Sequence, residues 1–153
     1  MNDFKIENNG RVASLMANQA ISREIIVDQK ADKQVVKGCV GYKLNIRLPS
    51  YRSLPLSCIE DISVKINGQS VPAEQVFLNV DSAWHALSEL KNLHETWWDI
   101  LDFAGLFIIP SDVNGESDVE VEIVRVEPYI TAGRFSFTNI SKAKVHFGES
   151  NYD

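Results

Sequence analysis

Between positions 40 and 68 the chain alternates apolar and polar residues twice, on either side of a loop bracketed by two prolines. Val40, Tyr42, Leu44, Ile46 and Leu48 interleave with Gly41, Lys43, Asn45 and Arg47; further on, Ile62, Val64 and Ile66 interleave with Asp61, Ser63 and Lys65. A period of two is the spacing of a strand with one buried face, whereas a helix needs apolar residues three and four apart. Asn67-Gly68 ends the second run with two residues that tolerate positive φ, as a tight hairpin turn requires. Pro49 and Pro55 push Leu48 and Leu54 toward extended backbone and withhold two amide donors. Residues 50–53 are therefore expected to form a stiff excursion with Tyr51 and Arg52 at its tip.

The same grammar recurs along the chain. Asn114-Gly115 repeats the hairpin signal, and in 118–129 Val119, Val121 and Ile123 face one way while Asp118, Glu120 and Glu122 face the other. Val124 and Val126 then fall on the acidic side, which calls for a bulge or for cover on the second face. Short strands are expected around Phe4 and Ile6, at 12–15, at 21–27, from Val71 through Val80, and at 106–109, with 28–34 a surface loop. Phe135 and Phe137, then Ala143, Val145 and Phe147, suggest a closing hairpin-like pair. One stretch breaks the pattern: after Asp81, a candidate N-cap, Trp84, Leu87, Leu90 and Leu93 recur at helical spacing and predict a helix over 82–93. About nine short strands, two Asn-Gly turns and one short helix fit an all-β fold, an antiparallel β-sandwich or jelly-roll-like barrel. Neither a repeat nor a linker divides residues 1–153, so a single domain is expected, with flexible ends at about 1–10 and 148–153.

Charge narrows the partners. With 21 acidic against 15 basic residues, the net charge of -6 argues against a nucleic-acid backbone or an anionic membrane. No run approaches the ~18 apolar residues of a membrane span, and MNDFKIENNG lacks the order of a secretory signal, so the expected address is cytoplasmic. Cys39 and Cys58 do not make a disulfide framework and read as small buried hydrophobes.

Candidate chemistry is sparse. His94-Glu95 opens like a zinc-protease helix, but the residue four after His94 is Trp98, so the second ligand is missing. His85, Glu89, Asp99 and Asp102 could be drawn together, although acids near a histidine are more often a wet surface; His146 reads as solvated. Neither Cys39 nor any serine has elbow or triad surroundings, and the phosphate-cradling glycine motifs do not occur. Glu60 and Asp61, adjacent on a strand, point to opposite faces. No catalytic residue and no metal ligand is assigned. What remains is a binding constellation of Tyr51, Arg52, Trp97, Trp98 and Tyr129, residue types that dominate interface hot spots, as an interface or substrate rim. Trp84, on the apolar stripe, reads as core.

YRSLPLSCIEDISVKINGQSV, the GYKLNIRLP before it, the Trp-containing middle and DVEVEIVRVEPYI together resemble the small (beta) subunit of bacterial C-glycoside deglycosidases, over about residues 38–131. The resemblance implies a reaction on a C-glycoside already oxidised at the sugar's 3-position. The 3-oxo group acidifies the proton on C2, so a base can remove it and the aromatic aglycone can leave from C1. It also implies a large (alpha) subunit with a sugar-isomerase-like barrel that holds a divalent metal, manganese, with no cofactor in the present chain. Catalysis would then lie in the partner, with this subunit supporting or rimming its site. Ser50 departs from the family pattern, which carries a second aromatic ahead of Tyr51-Arg52; the departure bears on aglycone or partner preference. A rival reading from another class is a stand-alone carbohydrate-binding module with Trp97 and Trp98 as its stacking platform. A self-sufficient metal hydrolase is a third.

Overall fold

The structure, a computed structural model, describes residues 24–50, 52–109, 115–127 and 136–148. In chain order its strands are β1 (Lys30–Val36), β2 (Cys39–Arg47), β3 (Leu54–Pro55), β4 (Ile59–Ile66), β5 (Gln69–Ser70), β6 (Val76–Val80), β7 (Ala83–Ala86), β8 (Trp97–Trp98), β9 (Phe103–Ile108), β10 (Gly115–Val126) and β11 (Ser136–Gly148). Nine of them form one sheet in the order β5-β4-β10-β11-β1-β2-β9-β6-β7, and β3 pairs with β8 in a separate two-stranded ribbon. The all-β expectation holds. Among the described residues every pairing is antiparallel except that of β1 with β11, which is parallel (Lys30 opposite His146), so the sheet is mixed, and it does not close into a barrel.

Three hairpins turn on pairs of left-handed residues. Lys37-Gly38 (φ 52° and 82°) joins β1 to β2, Asn67-Gly68 (51° and 84°) joins β4 to β5, and Asp81-Ser82 (59° and 67°) joins β6 to β7. Such pairs match the right-handed twist of the strands they connect. Asp81 is therefore a turn residue rather than a helix cap. The helix expected over 82–93 is present only as a 3₁₀ segment, Leu87–Asn92, preceded by strand β7. The cross-strand pairing of Ala83–Ala86 with β6 outweighs local helical spacing there.

Inward residues from both halves of the curled sheet share one core: Leu44 and Ile46 of β2, Leu78 of β6 and Leu106 of β9 on one side, Val64 of β4 and Val121 and Ile123 of β10 on the other. The Leu87–Asn92 segment packs against β4 as well as β6 and β7, with Leu90 buried, and so covers the core where the strands do not close. Residues Ala104 through Ile108 of β9 are buried on both faces, because Phe77 and Trp84 cover Phe107 on the outside. Gly41 lets β2 pass that cluster: a Cβ there would lie 2.6 Å from the Phe107 ring and 2.5 Å from the Ile108 carbonyl.

Other expectations change. The supposed loop at 28–34 is largely β1, and the closing pair is one 13-residue strand, β11. Cys39 is exposed rather than buried, since it follows the β1–β2 turn at the hairpin tip, and Cys58 is half-buried. Val124 and Val126, on the acidic side of β10, coincide with a bulge in the facing strand: Val124 pairs with Asp61 and Arg125 with Ile59, leaving Glu60 as the extra residue of β4. That bulge exposes Glu60 and Asp61 together, contrary to strict alternation. The strands expected around residues 4–6 and at 12–15, together with the Asn114 turn position, lie outside the described residues. None of the helices among the described residues is long and apolar enough to cross a membrane.

Candidate functional site

β2 delivers the chain from the Lys37-Gly38 tip at one end of the sheet to Arg47 at the other, and the proline-bracketed loop begins there. Leu48, Pro49 and Ser50 are buried, so the root of the loop sits in the protein rather than on it. The Ser50 hydroxyl donates to Glu127 Oε2 (3.0 Å) and accepts from the Arg52 backbone N–H (3.2 Å). Glu127 follows directly after β10, and its Oε2 also pairs with Arg125 Nη1.

Arg125 is 0% exposed and occupies an inward position of β10, in phase with Val119, Val121 and Ile123. Its Nε donates to Asn139 Oδ1 (3.1 Å), and its guanidinium carbon lies 5.0 Å from the centre of the Phe137 ring. Both partners are inward residues of β11. The inward face, aliphatic along most of β10, thus turns polar where the loop meets it. Sequence reasoning missed Arg125, Glu127 and Asn139 altogether. The available signal was an arginine in phase with the apolar Val119, Val121 and Ile123.

Arg52 is exposed, as its place in the loop led us to expect. Tyr51 and Tyr129 lie outside the described residues. The two tryptophans separate. Trp97 is 49% exposed and Trp98 1%, because adjacent strand residues face opposite ways and Trp98 turns into the core beside Leu54. Trp98 is therefore a packing residue and not a surface contact, and its indole N–H is satisfied by the Asp102 carbonyl (3.2 Å).

After β8 the chain makes a tightly braced turn. Asp102 N–H donates to the Asp99 carbonyl (3.0 Å), Leu101 N–H to Asp99 Oδ1 (2.9 Å), and Ile100 N–H to Ser53 Oγ (2.8 Å). The last bond ties this turn to the proline-bracketed loop. Held on it, Leu101 is 85% exposed, and Phe103, opening β9, is 55% exposed with the Arg47 guanidinium carbon 5.6 Å from its ring centre. Trp97, Leu101 and Phe103 thus stand in water within seven residues of chain, beside the loop that carries Arg52. Leu101 and Phe103 carried no sequence signal: isolated apolar residues in a turn are ordinary.

Other groups offer less. His85 Nδ1 lies 3.8 Å from Glu89 Oε1, while Asp99 and Asp102 belong to the turn just described, so the acids drawn together from the sequence do not converge. Among the described residues no three of His, Cys, Asp and Glu are grouped so as to hold a metal ion. The outer face of β4, β10 and β11 carries a ladder of opposed charges, among them Lys144 Nζ to Asp118 Oδ1 (2.8 Å) and Lys142 to Glu120 (3.9 Å). The Asp118 hydrogen bond and charge hold Lys144 above its ordinary pKa of 10.5. The stability linked to a raised pKa is present below the unfolded value and is lost only as pH rises through the folded one, so Lys144 adds no pH dependence near neutrality.

Residues 21–129 match the family profile of the C-glycoside deglycosidase beta subunit, a span of more than half the chain. The chain belongs to the C-glycoside deglycosidase beta-subunit family. Within it, the chain is 34% identical over 94 residues to a C-glycoside deglycosidase beta subunit of Arthrobacter globiformis, covering 59% of this chain and 70% of that protein. It is 34% identical over 80 residues to a beta subunit of Microbacterium trichothecenolyticum (52% and 59%). A 3'-dehydrocarminate deglycosidase beta subunit from a Microbacterium species is 38% identical over 64 residues (42% and 48%). All the elements of this end of the beta-subunit fold up to Glu127 fall inside the matched span, including the loop, the braced turn and Arg125.

Proposed function

We propose that this chain is the small subunit of a heteromeric C-glycoside deglycosidase, and that the end of the sheet carrying Arg52, Trp97, Leu101 and Phe103 docks on a large subunit. The complex would cleave the carbon-carbon bond between sugar and aromatic aglycone in 3-oxo-C-glycosides, in the cytoplasm. The observation that carries the reading is the grouping of exposed Trp97, Leu101 and Phe103 next to Arg47 and the Arg52 loop, on a member of a beta-subunit family. A base and a divalent metal are assigned to the large subunit, on a barrel of the sugar-isomerase type. No step of the bond cleavage is given to a side chain of this one. Tyr51 and Tyr129 keep the interface or rim role that the sequence suggests.

The carbohydrate-module reading loses its paired platform: with Trp98 in the core, Trp97 and Trp98 do not present two rings to one sugar. Co-expression of the chain with a large deglycosidase subunit from its own host, followed by size exclusion and a cleavage assay on a 3-oxo-C-glycoside, tests the proposal. A stoichiometric complex that cleaves the substrate is expected. The combined Tyr51→Ala and Arg52→Ala variant is expected to weaken the complex by at least about tenfold, a hot-spot-sized loss, while the isolated chain stays folded. A chain that elutes alone and is retained on a sugar matrix would overturn the reading.

A further inference from the structure

We propose that Ser50, Glu127 and Arg125 form a latch that sets the position of Arg52, so that the chain meets its partner with this edge already built. The inference rests on the reading that the Arg52 loop faces the large subunit. Ser50 is 1% exposed and uses its single hydroxyl in both directions, donating to Glu127 Oε2 and accepting from Arg52 N–H. Arg52 is thereby referred to a carboxylate just past the end of β10, 77 positions on from Ser50.

That carboxylate is itself held. Arg125 Nη1 pairs with the same Oε2, and Arg125 is fixed by Asn139 and Phe137, on the strand that pairs with β10 without interruption from Gly115–Phe147 to Val126–Ser136. The loop is thus anchored to the most continuously paired part of the sheet.

Stability alone does not account for a charged pair in this place. A buried ion pair is often no better for stability than apolar residues of similar volume, and Leu48 and Pro49 already bury apolar surface at the loop root. A charge-assisted hydrogen bond differs from apolar packing in being directional. It determines where the next residues go, which is what a docking loop needs. Ordering a loop before the encounter removes an entropic cost of about 0.5–1.5 kcal/mol per immobilised side chain at binding.

The test compares Ser50→Ala, Ser50→Thr, Arg52→Ala and, as a distant core control, Val64→Ala in the full chain. Three quantities are read: amide hydrogen exchange at Arg52, the Tm, and the affinity for the co-purified large subunit. Ser50→Ala is expected to speed exchange at Arg52 and to weaken binding about tenfold, the loss of one hydrogen bond to a charged group. Ser50→Thr keeps the hydroxyl and should restore both. Val64→Ala should lower the Tm and leave affinity unchanged, which a purely structural role for Ser50 would not separate. Should Ser50→Ala fail to fold, Ser50→Cys keeps the volume and weakens the bond, with the same expected directions. Unchanged exchange at Arg52, or faster exchange with unchanged affinity, overturns the latch. If Arg52→Ala weakens binding in that case, the docking reading survives without the latch; if it does not, or if the unaltered chain fails to bind the large subunit, the docking reading falls too.

Discussion

Arg125 occupies a place in the alternation of β10 that an aliphatic residue would ordinarily fill, and every potential gain there depends on its neighbours. Glu127 supplies charge, Asn139 an acceptor and Phe137 a ring face, and Glu127 is 12% exposed at its side chain, so the pair is almost wholly withdrawn from water. Breaking one member of such a pair strands the other. Arg125→Met is therefore expected to cost about 3–5 kcal/mol in urea unfolding, whereas Arg125→Met with Glu127→Gln should regain most of that loss, because no uncompensated charge remains buried. Equal destabilisation of the single and double variants would show that the guanidinium acts through packing against Phe137 and not through its charge.

At the scale of elements, much of the fold was legible because period-two runs and Asn-Gly pairs report the physics directly: β2, β4 and β10 lie where alternation puts them, and the bulge sits where the phase breaks. What was illegible depends on partners far along the chain. β1 is polar at most positions and becomes a strand because β2 and β11 flank it; β7 is a strand because β6 is there to pair with. Trp84 reads as a helical stripe residue, yet it covers Phe107 from the outside of the sheet. In the same way the split between Trp97 and Trp98 follows from the pairing of β8 with β3, which no local pattern announces. The turns offer an element-scale test. Lys37 adopts φ 52° without the side-chain carbonyl that makes Asn tolerant of this region, whereas Asn67 has one and also accepts from Asp118 N–H at 2.9 Å. Lys37→Asn should raise stability by about 0.4–1 kcal/mol, read as a shift of the denaturation midpoint at constant slope.

The molecule as a whole has two unlike ends. At one, the β1–β2 hairpin tip exposes Val35 (67%) and Val40 (53%) next to Cys39; at the other, Trp97, Leu101 and Phe103 flank Arg47 and the loop latched by Ser50. Exposed apolar area alone does not distinguish them, since both ends place large hydrophobics in water. The difference is in how the side chains are held. Leu101 sits on a turn closed by Asp99 and Asp102 and tied to Ser53, so its exposure is built into the backbone, and Phe103 is overlaid by a guanidinium that can meet a carboxylate of a partner. Rigid apolar anchors beside a cation are the arrangement of an interface centre. Leu101→Asp is therefore expected to weaken the complex with the large subunit by about 2 kcal/mol or more. Its effect on the Tm of the isolated chain should be small, because the residue packs against little. Val35→Ser with Val40→Ser, at the opposite end, should leave the affinity within about 0.5 kcal/mol of the unaltered chain. Isothermal titration of the two subunits separates the cases, and the reverse ranking would place the docking surface at the hairpin tip.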